Sequence, residues 1–307
     1  KRKVGRPVGE AIFAEPNCAR VFCEGVPAGP VVSMGHTLDG VSTHMEEQPD
    51  KYGFRVSDKV PEDVVSTLKE SGADILINYL PVGSQQATEY YAQCSIDAGV
   101  AFLNCIPVFI ASNPVWEQKF IDAKLPIIGD DMRSQVGASV LSQVLQELAF
   151  DRGAHVDFHQ QLNVGGNSDF NNMMVPTRLS SKKKSKENVI RAQNDIRGIP
   201  VDDEALFAGP STFIPYLKDN KVAYLNLRLR GFGDAPIMID CKLSVQDSEN
   251  SAGVVIDAIR YLKVARELGI VGALRGPSSW TQKTPPQQMQ YSDAKEECRL
   301  FADRNIK

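Results

Sequence analysis

The chain lacks most of the marks of several common protein classes. Its 307 residues include only two tryptophans, four histidines and six cysteines, and no segment approaches the length of apolar run that crosses a bilayer. The start shows no apolar stretch of the kind that directs secretion, so a soluble, cytoplasmic protein is expected. Cys18, Cys23, Cys94, Cys105, Cys241 and Cys298 form no Cys-x-x-Cys pair, and several sit in apolar surroundings. They read as reduced core thiols, which excludes a disulfide frame or a zinc ribbon. His36, His44, His155 and His159 have no metal-ligand spacing; the last two lie in a strand-like segment where their side chains need not converge. With 34 basic and 38 acidic residues the net charge is −4, which argues against bulk electrostatic binding of nucleic acid or an anionic membrane. A glycine-rich turn between a strand and a helix is also missing. Gly231-Phe-Gly233 is a lone pair of glycines between two strand patterns and reads as a turn.

What is present is regular. The first half alternates short apolar runs with helical periodicity: a helix over Glu62 to Gly72, a strand over Asp74 to Asn78, a helix over Ser84 to Ala98, a strand over Val100 to Leu103, a helix over Asn113 to Lys124, a strand over Pro126 to Ile128 and a long helix over Ser134 to Phe150. Such alternation predicts an α/β fold with a parallel, doubly wound sheet. From about residue 153 the period becomes two. Ala223, Leu225, Leu227 and Leu229 alternate with polar positions, as do Ile237, Ile239, Cys241, Leu243 and Val245, with a turn between them, so an antiparallel sheet is expected. Helical periodicity returns over Ser251 to Gly269 and again over Glu296 to Asn305.

Two features stand out chemically. Lys182, Lys183, Lys184 and Lys186 crowd into five positions, downstream of the amide- and glycine-rich stretch Gln161-Leu-Asn-Val-Gly-Gly-Asn-Ser-Asp-Phe-Asn-Asn172. A solvated helix face or a nucleic-acid patch is the bland reading of such lysines, and taken alone the solvated face is favoured. On a helix, however, Lys182 and Lys186 share one face, and a like-charge pair costs roughly a few tenths of a kcal/mol. Ammonium groups held together suit a phosphate, an enolate or alkoxide, or a lysine whose pKa must fall. The second feature is Ser134-Gln-Val-Gly137, where a strand gives way to the long helix. By residue type it reads as an ordinary helix cap or as an anion cradle. Asp130 and Asp131, at the same strand end, read equally as capping residues, solvated acids or ligands of a monovalent or divalent cation.

The ordered motifs Gly35-His-Thr-Leu-Asp-Gly40, Asn78-Tyr-Leu-Pro-Val-Gly-Ser84, Asp97-Ala-Gly-Val-Ala-Phe-Leu-Asn104, Pro107-Val-Phe-Ile-Ala-Ser112, Gly129-Asp-Asp131, Ser134-Gln-Val-Gly137, Gln161 to Asn167, Ser181-Lys182 with Ser185-Lys186, Asp247-Ser-Glu-Asn-Ser-Ala-Gly253 and Lys283-Thr-Pro-Pro286 resemble those of the myo-inositol-1-phosphate synthase family in its compact bacterial form. The resemblance runs along nearly the whole chain. It implies a Rossmann-like parallel sheet over 1–150, an inserted catalytic and oligomerisation domain with an antiparallel sheet over 151–249, and helices over 250–307 that return to the first domain. It implies an NAD-dependent isomerase that converts glucose 6-phosphate to inositol 1-phosphate, the first step of inositol and phospholipid biosynthesis, working as a homotetramer.

Carried over residue by residue, the resemblance places Lys182, Lys186, Lys221, Lys283 and Asp247 in catalysis. It places Ser134, Gln135, Val136, Gly137, Asn163, Asn167 and Asp169 on the substrate. Asn78, Pro81, Val82, Gly83, Ser84, Asn104, Ile106, Pro107, Asp130 and Asp131 fall on the cofactor side. Each has a duller alternative: Lys221 as turn solvation beside Asp219-Asn220, Asp247 as a helix cap, Lys283 as a loop charge before Pro285. The resemblance begins just after the family's second strand, so the pyrophosphate cradle is not within the 307 residues. Either they are a piece of a longer protein or they belong to a relative without that cradle, and by themselves they are expected to bind NAD poorly. The competing expectations are a non-catalytic sugar-phosphate-binding relative or oligomer subunit, and a sugar-phosphate dehydrogenase of the same fold.

Overall fold

The computed structural model describes residues 2–14, 18–21, 23–50, 53–174, 187–199 and 202–304. Strands β1 (Ile75–Asn78), β2 (Ala101–Asn104), β3 (Pro126–Ile128) and β8 (Gly272–Ala273) pair in that order, all parallel. β1 to β3 alternate with the helices Gln85–Ala98 and Pro114–Asp122, and the helix Ala138–Asp151 follows β3. Local chemistry sets these boundaries. Asn113 caps its helix by accepting from the Val115 amide, with Pro114 at the first helical position, and Gly99 ends its helix in the left-handed region at φ 75°.

Period two places successive side chains of the sheet on opposite faces. Phe102 and Ile127 pack with Ala92 and Phe120 on one side. Leu103 and Ile128 pack on the other against Val254, Val255, Ala258 and Leu262 of the helix Asp247–Leu268. The late helix therefore closes the first sheet, and β8 extends it.

The second sheet has the order β5-β4-β6-β7, with β4 His155–Gly165, β5 Leu206–Phe213, β6 Asn220–Arg230 and β7 Pro236–Gln246. β4, β6 and β7 are antiparallel, and the alternating Ala223, Leu225, Leu227 and Leu229 bury against the helix Ala138–Asp151. One pairing differs from expectation. β5 lies parallel to β4, so the sheet is mixed; the long connection from Gly165 to Leu206 gives the chain room to cross over and run in the same direction again. Three helix starts also differ. The helix expected from Ser134 begins at Ala138 with Gly137 as its cap, the one expected from Ser251 begins at Asp247, and the one expected from Glu296 begins at Tyr291.

Candidate active site

The C-terminal ends of the parallel strands and the near end of the second sheet enclose a cleft of about 440 Å³. From the first sheet come Tyr79, Cys105, Asp131, Met132, Ser134 and Lys283; from the second come Gln161, Asn163, Asn167, Asp169, Lys221 and Asp247. Residues separated by most of the chain are thus brought together. Lys182 and Lys186 lie outside the described residues.

Two lysine–carboxylate pairs line this cleft. Lys221, near the start of β6, pairs with Asp247 at the first turn of the closing helix, and their side chains retain 15% and 20% exposure. Asn167 donates to Asp247 Oδ2 at 3.3 Å and to Asp219 Oδ1 at 3.2 Å. Asp219 in turn accepts from the Ser248 amide at 2.9 Å and hydroxyl at 2.8 Å, so it anchors the start of the helix that carries Asp247. Burial pushes the Asp219 carboxyl above its ordinary range, against the pull of those hydrogen bonds.

The second pair is deeper. Lys283 Nζ donates to Asp131 Oδ1 at 2.9 Å and to the Met132 carbonyl at 2.7 Å, with Lys283 12% and Asp131 1% exposed. Backbone bonds tie the two segments: the Lys283 amide donates to the Asp131 carbonyl at 2.8 Å, and Asp130 and Thr284 exchange two bonds of 3.0 Å. Asp131 sits at φ 63°, a left-handed conformation held by this clamp.

The turn Ser134–Gly137 precedes the helix Ala138–Asp151 instead of forming its first turn. Gln135 and Val136 donate their amides to Asn250, at 2.7 Å to its carbonyl and 3.2 Å to its Oδ1. Asn250 also donates to the Val136 carbonyl at 2.7 Å. Gln135 and Val136 do not line the cleft, which is lined instead by Ser134, Gly137, Ala138 and Ser139. Behind the turn lies Arg133, fully buried, bonded to the Gln282 carbonyl and Gln143 Oε1 at 2.6 Å each. Burial lowers it to about 10, so it keeps its charge at neutral pH beneath the helix start.

A second cleft of about 400 Å³ opens beside the first and shares Tyr79, Cys105 and Asp169 with it. Its wall is mainly apolar, with Val41, Met45, Leu80, Pro81, Val82 and Ile106, and its polar groups are few, among them Ser42, Ser168 and Asn172. Burial pushes the Cys105 thiol up to about 12, so it stays protonated. The remaining cofactor-side residues turn inward. Asn78 donates to Asn104 Oδ1 at 2.9 Å, Asn104 donates to Asp130 Oδ1 at 2.7 Å, and Asp130 also accepts from the Ile110, Ala111 and Ser112 amides and the Ser112 hydroxyl. This buried latch joins three strand ends and lines neither cleft; nor do Gly83, Ser84 and Pro107. Among the described residues no group of three His, Cys, Asp or Glu side chains is placed to hold a metal ion.

Sequence reasoning missed Arg133, Asp219 and Asn250. A further residue it set aside is His159, whose burial lowers it from 6.5 to about 4. Because the folded state disfavours its protonation, the stability it contributes is complete above pH 6.5 and is lost as pH falls from 6.5 towards 4. His159→Gln is expected to flatten this loss, measured as the urea midpoint across that window; parallel profiles would contradict it.

The profile of the family described as "Myo-inositol-1-phosphate synthase" matches residues 137–248, from the cap of the helix Ala138–Asp151 to the start of the closing helix. The inositol-3-phosphate synthase of Mycolicibacterium smegmatis is 45% identical over 303 residues, covering 98% of this chain and 82% of the relative. That of Corynebacterium glutamicum is 43% identical over 302 residues, covering 97% and 82%. Among solved structures, the crystal structure of Ari2 superposes with a TM-score of 0.73 at 33% identity, covering 99% of this chain and 82% of that one. Likeness of this extent, centred on the segment that carries Asn163, Asn167 and Lys221, means that the chain belongs to the myo-inositol-1-phosphate synthase family.

Proposed function

We propose that this protein converts glucose 6-phosphate to inositol 1-phosphate, and that the large cleft is where it does so. The observation that carries the reading is the convergence of two lysine–carboxylate pairs, Lys221–Asp247 and Lys283–Asp131, on a cleft closed by a helix start. Ring closure of a sugar phosphate develops negative charge on successive oxygens, and preorganised ammonium groups stabilise such charge strongly where water is scarce.

The phosphate would rest on Ser134 and on the Gly137, Ala138 and Ser139 amides, at the positive end of the helix dipole and over the Arg133 charge. Asn163, Asn167 and Asp169 would hold the sugar hydroxyls. Asp247 orients Lys221, which would stabilise the enolate and carry a hydroxyl proton, while Lys283 would hold the aldehyde oxygen as the ring closes. Lys182 and Lys186 would add further ammonium groups. The apolar second cleft fits a flat nicotinamide, with Pro81, Val82 and Ile106 as its wall and Asp131 at the junction. NAD, when bound there, supplies hydride acceptance from carbon 5 of the sugar and its later return. Phosphorus NMR of the full-length protein with NAD and glucose 6-phosphate tests the reading: a new inositol phosphate signal is expected, and accumulation of an oxidised sugar phosphate instead would favour a dehydrogenase.

Asn250→Ala is expected to raise the KM for glucose 6-phosphate roughly tenfold, because the anion-facing turn loses its bonds to the Asn250 side chain. Unchanged KM in steady-state kinetics would contradict that role. Self-assembly as a homotetramer fits the exposed apolar groups of the second sheet, Tyr224, Phe232 and Met238. Light scattering is expected to give four times the chain mass, and a monomer at micromolar concentration would oppose it. No helix among the described residues is long and apolar enough to cross a membrane, and a cytoplasmic location accords with the proposed reaction.

A further inference from the structure

A chain of hydrogen bonds links the floor of the large cleft to a separate cavity near the start of β4. Asn163 Nδ2 donates to the Gly209 carbonyl at 2.9 Å, and Asn163 Oδ1 accepts from Gln161 Nε2 at 3.2 Å. Gln161 Oε1 accepts from the Ser142 hydroxyl at 3.0 Å, and Ser142 Oγ lies 3.1 Å from His159 Nε2. All four side chains are buried, Ser142 entirely. Gln161 and Asn163 line the large cleft, whereas His159, on the same face of β4, lines a cavity of about 240 Å³ nearer the start of the strand.

The direction of the chain follows from donor counting. A carbonyl can only accept, so Gly209 requires the amide nitrogen of Asn163 and leaves its oxygen for Gln161. Gln161 must then turn its own nitrogen to Asn163 and its oxygen to Ser142. The one hydroxyl proton of Ser142 goes to that oxygen, so Ser142 must accept from His159, whose Nε2 carries the proton. Nδ1 of His159 is buried and has no hydrogen-bond partner among the described residues. Burial keeps the ring neutral, so one nitrogen carries the proton, and the bond to Ser142 places it on Nε2. As a result Gln161 and Asn163 each keep one amide hydrogen outside the chain, and neither needs to offer the cleft a carbonyl oxygen.

We propose that His159, acting through Ser142, is a positioning residue that holds Gln161 and Asn163 as hydrogen-bond donors towards the oxygens of the bound sugar. This rests on the reading of the cleft as a sugar-phosphate site. His159 does not touch the substrate. Its work is to supply the donor that Ser142 accepts from, which leaves the serine proton committed to Gln161. Without it the hydroxyl is free to rotate, and the Gln161 amide loses the bond that fixes its oxygen away from the substrate.

The test uses the full-length protein and the variants Ser142→Ala, His159→Leu, His159→Gln and the double variant Ser142→Ala/His159→Leu. Ser142→Ala and His159→Leu are each expected to lower kcat/KM about tenfold, and the double variant to be no worse than either, since both break one chain. His159→Gln, which retains a side-chain N–H, is expected to recover most of the loss. Singles that add in the double variant, or Ser142→Ala at wild-type kcat/KM, would overturn the proposal. Nitrogen-15 NMR of the imidazoles provides a readout independent of turnover: His159 is expected as the neutral Nε2–H tautomer at neutral pH. The Nδ1–H tautomer or an imidazolium would overturn the proposal even if the enzyme is active. A wild type with that tautomer and no turnover would instead count against the assigned reaction.

Discussion

Replacing Lys221 with alanine is expected to lower turnover about a hundred- to a thousandfold, the loss seen when a preorganised donor to a developing oxyanion is removed. The fold should tolerate the change. Lys221 and Asp247 both reach solvent, and Asp247 keeps its bond from Asn167 at 3.3 Å. The carboxylate left in the cleft would add to the damage by opposing negative charge on the substrate. Steady-state kinetics beside a thermal melt separate the outcomes: an unchanged melt with a collapsed kcat is expected, and turnover near wild type would remove Lys221 from the chemistry.

Lys283→Met should act on stability as well as on rate. Its partner Asp131 is almost fully buried, and removing one member of a buried ion pair costs about 3–5 kcal/mol. Lys283 also fastens the strand end through the Met132 carbonyl at 2.7 Å, so the clamp around Asp131 loosens. Combining Lys283→Met with Asp131→Asn removes the stranded charge. The double variant is expected to regain much of the stability and none of the activity, measured by urea unfolding and by product formation. Recovery of both would make the pair a structural device only.

How far the residues alone disclose this protein depends on the range of the interaction. β1, β2 and β3 announce themselves because apolar runs bounded by asparagine, glycine and proline are local signals. The β6–β7 hairpin does so because period two and a glycine turn are local as well. The parallel course of β5 was not legible, since nothing in Leu206–Phe213 records which neighbour it meets. The turn at Ser134 looked like the first turn of a helix by residue type; it is pulled out of the helix by Asn250, more than a hundred positions away. Asp219 entered the sequence reading only as a turn neighbour of Lys221, yet it is buried under Ser248 and Asn167. Of the lysines singled out, Lys221 and Lys283 meet in one cleft, which no spacing rule could have shown.

The central claim is that the cleft closes a ring with no net redox change. Glucose 6-phosphate carrying deuterium at carbon 5, incubated with the full-length protein and unlabelled NAD, tests it directly by mass spectrometry of the product. Inositol phosphate retaining the label, with no NADH accumulating, is the predicted result. Deuterium appearing in accumulated NADH, together with an uncyclised oxidised sugar phosphate, would contradict it.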